Sequence, residues 1–172
     1  MDAIASDQPT PAGGSAAAAG VVIAAALLEK AAQLSLRHWD GAAAVRERAH
    51  ALRLHSEELI EADVHAYLGF VEAVRSARGM DGESRERIIG PARAQAVDVP
   101  LAVVRAAAEV AVLARQVAAH GNPNLRSDAM VAGVLAAAGA RAATITMSAN
   151  LSDDPKDRRL TEAMRLAEES SA

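Results

Sequence analysis

The chain has 172 residues, 51% of them hydrophobic, but only three aromatic side chains, Trp39, Tyr67 and Phe70, and no Cys. Its 44 Ala residues are the strongest helix formers, and the β-branched and aromatic runs that strand cores need are missing, which excludes β architectures. A formal charge of −4, from 18 basic and 22 acidic residues, leaves no footprint for nucleic acid, and without Cys there are no disulfides, thiolate nucleophiles or zinc–thiolate sites, as suits a cytoplasmic protein.

Residues 1–8 read as a disordered start and 9–172 as a single domain. Pro9-Thr10-Pro11-Ala12-Gly13-Gly14-Ser15 is a turn-rich loop, and Ser15 is placed to cap a helix from Ala16 to about His38. The stretch Gln8 to Leu28 carries no charge and has about the length of a membrane span. Its Pro and Gly start and its Ala-rich middle are too weakly apolar for one, and the acidic Asp2 and Asp7 are wrong for a signal peptide. It reads as a buried central helix. Because Ala contributes little apolar area, the helices must approach closely or share their core with a second subunit.

Asp40 is placed to cap a long helix, about Gly41 to Arg78, whose apolar stripe runs through Val45, Ala49, Leu52, Leu59, Ala66, Phe70 and Val74. The stripe leaves slots at Ser56 and Asp63. A carboxylate on a packed face is costly unless it is paired, hydrogen-bonded or part of a site. After the turn Gly79–Gly82, a helix from Glu83 to Val97 should kink or break at Gly90-Pro91. Asp98 then caps a restart with Pro100 in its first turn, ending at His120 with Gly121 as C-cap. Gly121-Asn122-Pro123-Asn124 is a second turn-dense loop, and Ser127 is placed to cap a helix from Asp128 to about Ala143. The β-like run Ala143–Met147 is kept as helix end, and Asp154-Pro155 opens a peripheral helix to about Glu169. The pattern predicts an all-α, single-domain bundle of five or six helices.

Glu61 and His65 have the i, i+4 spacing of a helix-borne metal pair, but two ligands make no site, and they read as a surface ion pair. No phosphate-binding glycine loop or nucleophile elbow occurs. What remains is two loops that feed helix N-termini, where free N–H groups suit carbonyl or carboxylate oxygens. Each alone reads as a turn with a cap. Together with Asp63 and Tyr67, one turn apart on the long helix, they point to a shared polar pocket.

The segment Pro9–Ser15 resembles the Pro-Thr-Pro-Gly-Gly-Gly-Ser opening of the cyclodeaminase/cyclohydrolase family. Asp63-Val64-His65-Ala66-Tyr67, Val99-Pro100-Leu101, and Gly121-Asn122-Pro123-Asn124 with Ser127-Asp128 follow in the family's order, so the likeness spans residues 9–153. The resemblance implies the helical fold of the C-terminal domain of formiminotransferase-cyclodeaminase, assembled as a homodimer or higher homo-oligomer with folate sites between subunits. It also implies methenyltetrahydrofolate cyclohydrolase or formiminotetrahydrofolate cyclodeaminase chemistry, with a folate as substrate and no metal or other cofactor, and neither nucleic acid nor membrane as partner. By matching position, Gly13, Gly14, Ser15, Tyr67, Asn122, Asn124 and Ser127 are expected to bind substrate. Asp63 and Asp128 are expected to share proton transfer and pterin orientation, in an order the sequence leaves open.

Hydrolysis of 5,10-methenyltetrahydrofolate is favoured over cyclodeamination because no formiminotransferase domain is attached. There are departures from the pattern. Ala12 replaces a Gly, Arg37-His38-Trp39-Asp40 stands in a Lys-rich place, Ser76-Ala77-Arg78-Gly79 replaces a Leu-Pro-Lys stretch, and Thr144-Ile145-Thr146-Met147-Ser148 replaces Asn-Val-x-Ile-Asn. They motivate a rival reading, a catalytically degenerate member serving as a binding or assembly subunit. Arg37 and Arg78 are the candidates to meet the acidic glutamyl tail.

Overall fold

Small side chains let helices of this chain lie nearly backbone to backbone, and the architecture follows from that. The structure is a computed structural model that describes residues 2–151 and 154–171. Its helices are α1 (Gly13–Gln33), α2 (Ala42–Ser76), α3 (Gly82–His120), α4 (Arg126–Asn150) and α5 (Arg158–Ser171), with a 3-10 turn at Pro123–Leu125 leading into α4. Among the described residues there is no strand, and the all-α expectation holds. The β-like run Ala143–Met147 lies inside α4, where the hydroxyls of Thr144 and Thr146 donate to the carbonyls of Ala140 and Ala142 one turn back, at 2.9 and 3.3 Å.

Consecutive long helices run antiparallel. Along α1, Gly13 lies by Thr146, Val21 by Gly139 and Lys30 by Asp128, so α4 descends as α1 rises. A Cβ at Gly139 would stand 2.7 Å from Val21 Cγ2, so this crossing accepts nothing larger than Gly without a shift. On its other side α1 meets α2 through Ser15–Asp63 and Gln33–Arg46. The helix α5 runs parallel to α3, joined by Asp98–Arg159 and Arg105–Glu162. Val21, Leu28, Val104, Val110 and Met147 fill the centre amid fully buried Ala. Half of the most apolar window of α1 is covered within the protomer, and 39% of that of the segment containing α4.

Several boundaries differ from the sequence reading. The first helix starts at Gly13 with Ala12 as N-cap and no capping side chain, so Ser15 is not a cap. Gly41, not Asp40, caps α2, and Leu125, not Ser127, caps α4. The two helices expected between Glu83 and His120 are one, with Pro91 and Pro100 inside it. Asp98 is an ion-pair partner of Arg159 rather than a cap. Gly121 is the C-cap as expected.

Candidate functional site

The site grows from the start of α1. Its first local helical bond runs from the Ala16 N–H to the Ala12 carbonyl at 2.9 Å, so the N–H groups of Gly13, Gly14 and Ser15 lie ahead of the ladder and carry the partial positive end of the helix. Asp63 of α2 is drawn against this end. Ser15, fully buried, donates its hydroxyl to Asp63 Oδ2 at 2.7 Å, which leaves Oδ1 beside Gly14. A Cβ at position 14 would lie 2.6 Å from the Asp63 Cγ, so Gly is what lets the carboxylate approach. The costly slot in the apolar stripe of α2 is thereby explained. The other slot is structural, since buried Ser56 donates to the Leu52 carbonyl at 2.7 Å.

Asp63 opens into a groove of about 410 Å³. Tyr67 and Phe70 continue the α2 wall, Pro9 and Thr10 come from the leading segment, and Ile145, Thr146 and Ala149 line it from α4. Asn150 and Ala96 also line it, joined by a 2.7 Å bond from Asn150 Nδ2 to the Ala96 carbonyl. Gly13, Gly14, Asp63 and Tyr67 are thus together, with Ser15 behind them.

The second predicted loop lies elsewhere. The Asn122 N–H donates to Ser35 Oγ at 2.9 Å, its Nδ2 to the Leu34 carbonyl at 3.3 Å, and its Oδ1 accepts from the Asn124 N–H at 3.0 Å. These bonds tie the loop to the C-terminal end of α1. Asp128 is 4.0 Å from Lys30 Nζ, and Asn124 and Ser127 are exposed. From Ser15 to Lys30 the helix rises about 22 Å. Within one protomer the expected single pocket therefore divides into two, because the loops sit at opposite ends of the same helix. Arg37 falls at the Asp128 end, whereas Arg78, just beyond the end of α2, falls on the Asp63 side.

Sequence reasoning did not single out Phe70 or Thr146 for the groove. Phe70 had a signal, since it lies seven residues after Asp63 and three after Tyr67 on the same face. Thr146 had a weaker one, its place in the stretch that departs from the family pattern, and the close packing of α4 on α1 brings its Oγ1 near Gly13. Glu61 and His65 are both exposed, and no ion pair joins them among the described residues. At the α1–α2 seam, burial pushes the Glu29 carboxyl up, but hydrogen bonds from Arg53 and His50 outweigh it and hold the group below the usual range. That cluster fastens the two helices together.

Three likenesses place the chain among known proteins. A family model described as formiminotransferase-cyclodeaminase matches residues 1–169. A methenyltetrahydrofolate cyclohydrolase of Methylorubrum extorquens is 35% identical over 158 residues, 87% of this chain and 76% of its own length. The crystal structure of a formiminotetrahydrofolate cyclodeaminase from Thermotoga maritima has the same fold, with a TM-score of 0.81 over 99% of this chain and 85% of that one, at 24% identity.

Proposed function

Because this chain belongs to the formiminotransferase-cyclodeaminase family, we propose that it is a folate one-carbon enzyme that hydrolyses 5,10-methenyltetrahydrofolate to 10-formyltetrahydrofolate. The observation that carries the reading is the Asp63 carboxylate, oriented by Ser15 against the glycine start of α1 and open to a groove. The relative from Methylorubrum extorquens gives the choice of hydrolysis its support.

The methenyl bridge between N5 and N10 is an amidinium cation, and a carboxylate beside it favours its binding. Water adds to the bridge carbon as Asp63 Oδ1 takes one of its protons, which forms a neutral tetrahedral adduct. As the bond from carbon to N5 breaks, that proton passes to N5, the remaining hydroxyl proton leaves to solvent, and a formyl group stays on N10. One water is consumed and one proton released. Asp63 acts as general base and then general acid, and the step uses nothing beyond substrate and water.

Asp128, Asn122, Asn124 and Ser127 enter this reading through a second copy. A two-fold axis across the middle of α1 and α4 exchanges their ends, which sets the loop of one protomer against the Asp63 groove of the other. The enzyme is then a homodimer with a shared folate site and a cytoplasmic place of work. Asp63 is the proton carrier, and Asp128 orients the pterin.

The test is loss of the near-ultraviolet absorbance of 5,10-methenyltetrahydrofolate, run beside ammonia release from 5-formiminotetrahydrofolate. Hydrolysis should be accelerated, and Asp63→Asn should lower kcat by about 10²- to 10⁴-fold. Ammonia release without hydrolysis assigns the cyclodeaminase reaction instead. Folate binding with neither reaction assigns the binding or assembly role that the sequence departures suggest. A full rate in Asp63→Asn removes the carboxylate from the chemistry.

A further inference from the structure

We infer that Phe70 is a substrate-binding residue that stacks on an aromatic ring of the folate, and so sets the preference of the groove for flat conjugated ligands. The inference rests on the reading of the groove as a folate site and adds to it a residue and a mode of contact.

Phe70 stands outside the main core. In a chain with one Phe, one Tyr and one Trp, a Phe would be expected to anchor the core. Trp39 does pack against the core, but Phe70 is neither a member of the core cluster nor among the partly buried residues that pack on it. The cause is its position along α2. The start of α1 meets α2 at Asp63, so residues of α2 beyond that level have no α1 opposite them. Phe70 lies about 10 Å further along the helix axis, and its half-buried ring faces the groove instead.

Asp63, Tyr67 and Phe70 are spaced i, i+4 and i+7, which places them on one helix face. That face presents a carboxylate, then a phenol that is 44% exposed, then a phenyl ring. The opposite wall is aliphatic and hydroxylic, with Ile145, 72% exposed, Thr146 and Ala149. A cation held at Asp63 and continued by a planar ring system meets charge at one end and π surface at the other. Offset stacking on an aromatic side chain supplies that contact without asking for a hydrogen bond. The folate offers two such rings, the pterin and the p-aminobenzoyl group, on either side of the reacting carbon.

The experiment compares the full-length protein with Phe70→Ala, Phe70→Leu and Phe70→Tyr. The Ala and Leu variants should raise KM for 5,10-methenyltetrahydrofolate about tenfold, the size of one lost stacking contact, with kcat within about twofold. Phe70→Tyr should keep the parent KM. Since Phe70 is outside the core, melting temperatures should stay within about 2 °C of the parent, and Leu keeps bulk without a ring should Ala disturb the fold. Inhibition by 6-methyltetrahydropterin and by p-aminobenzoylglutamate then identifies the ring, because the fragment that stacks on Phe70 loses its inhibition in the Ala and Leu variants while the other keeps it. An unchanged KM in both variants, or undiminished inhibition by both fragments, overturns the inference and leaves the folate reading standing. Failure of the parent protein to bind any folate overturns both.

Discussion

Gly14 faces two opposed demands. A Gly within a helix costs at most about 0.5–1 kcal/mol relative to Ala, the value for a helix middle, yet here an Ala methyl would collide with the Asp63 carboxylate. The clash is with the end of a side chain, so the protein can relieve it by turning Asp63 away from Ser15. Gly14→Ala should therefore fold with unchanged or slightly raised stability while kcat falls about 10²-fold, the scale of a catalytic group misplaced by an ångström. Thermal melts read against methenyltetrahydrofolate turnover check this. Full activity with a raised melting temperature would show that the Asp63 position is not what the glycine protects. Asp63 itself was legible in the sequence because it interrupts a regular apolar stripe, and a carboxylate on a packed face needs a partner. Ser15 was misread for a related reason. A Ser before an apolar run is a good cap, but this one has a carboxylate 48 residues away to donate to, and the Ala12 carbonyl starts the helix without it.

Helix boundaries show where one-dimensional reading stops. Pro100 has no N–H to give the carbonyl of Ala96 four residues back, which is the physical reason to expect a break. In the fold, Asn150 Nδ2 donates to that carbonyl at 2.7 Å, so the orphan is satisfied from another helix and α3 runs on. Pro91 is exposed, so water can serve the carbonyl that it orphans. The replacement at Ala96 depends on a residue more than fifty positions away, and no local pattern announces it. The attachment of α5 is a second matter of pairing between elements. Leu160, Ala163 and Ala167 are buried on one side, and Arg105 grips Glu162 through two bonds of 2.8 and 2.9 Å. The Arg105 hydrogen bond holds the Glu162 carboxyl below its ordinary 4.5, and Arg159 does the same for Asp157 below 3.8. Folded values lower than unfolded ones mean stability that is complete above those pH values and lost as pH falls through the depressed ones. The docking of α5 should therefore weaken below about pH 4.5. As Glu162 is 34% and Arg105 58% exposed, that pair contributes less than about 1 kcal/mol. Glu162→Gln should flatten the fall in melting temperature between about pH 5 and 3 and lower its value at pH 7 only slightly. An unaltered pH profile would mean that this pair does not carry the acid response.

At the scale of the whole molecule, the apolar surface is unevenly placed. Ile23 on α1 and Met130, Val134 and Ile145 on α4 are 60, 56, 69 and 72% exposed, on two long apolar helices that are only partly covered within the protomer. Large exposed apolar side chains on two packed helices are the material of an interaction face, and the Ala-rich composition leaves a core shared between copies as one of its two ways to bury enough surface. In the proposed dimer this face also answers the divided site. The two carboxylates lie toward opposite ends of α1, about 22 Å apart along it, and the proposed packing, which reverses one copy against the other, would bring an Asp63 groove to an Asp128 loop. An isologous contact across α1 and α4 does so twice. Sedimentation at micromolar concentration should then give twice 17.7 kDa, and Val134→Glu should shift the mass to that of a monomer, because two unpaired carboxylates near the axis cost about several kcal/mol. Since Val134 lies far along α4 from the Asp63 groove, loss of folate turnover in that monomer would trace to the missing partner loop. Mixing Asp63→Asn with Asp128→Asn protomers sharpens the test. Mixed dimers retain one site with both carboxylates intact and should recover about a quarter of the parental rate at random assortment, half of the dimers being mixed and each holding one intact site of two. No recovery, or full activity in a monomeric parent, would place both carboxylates in separate roles within a single chain.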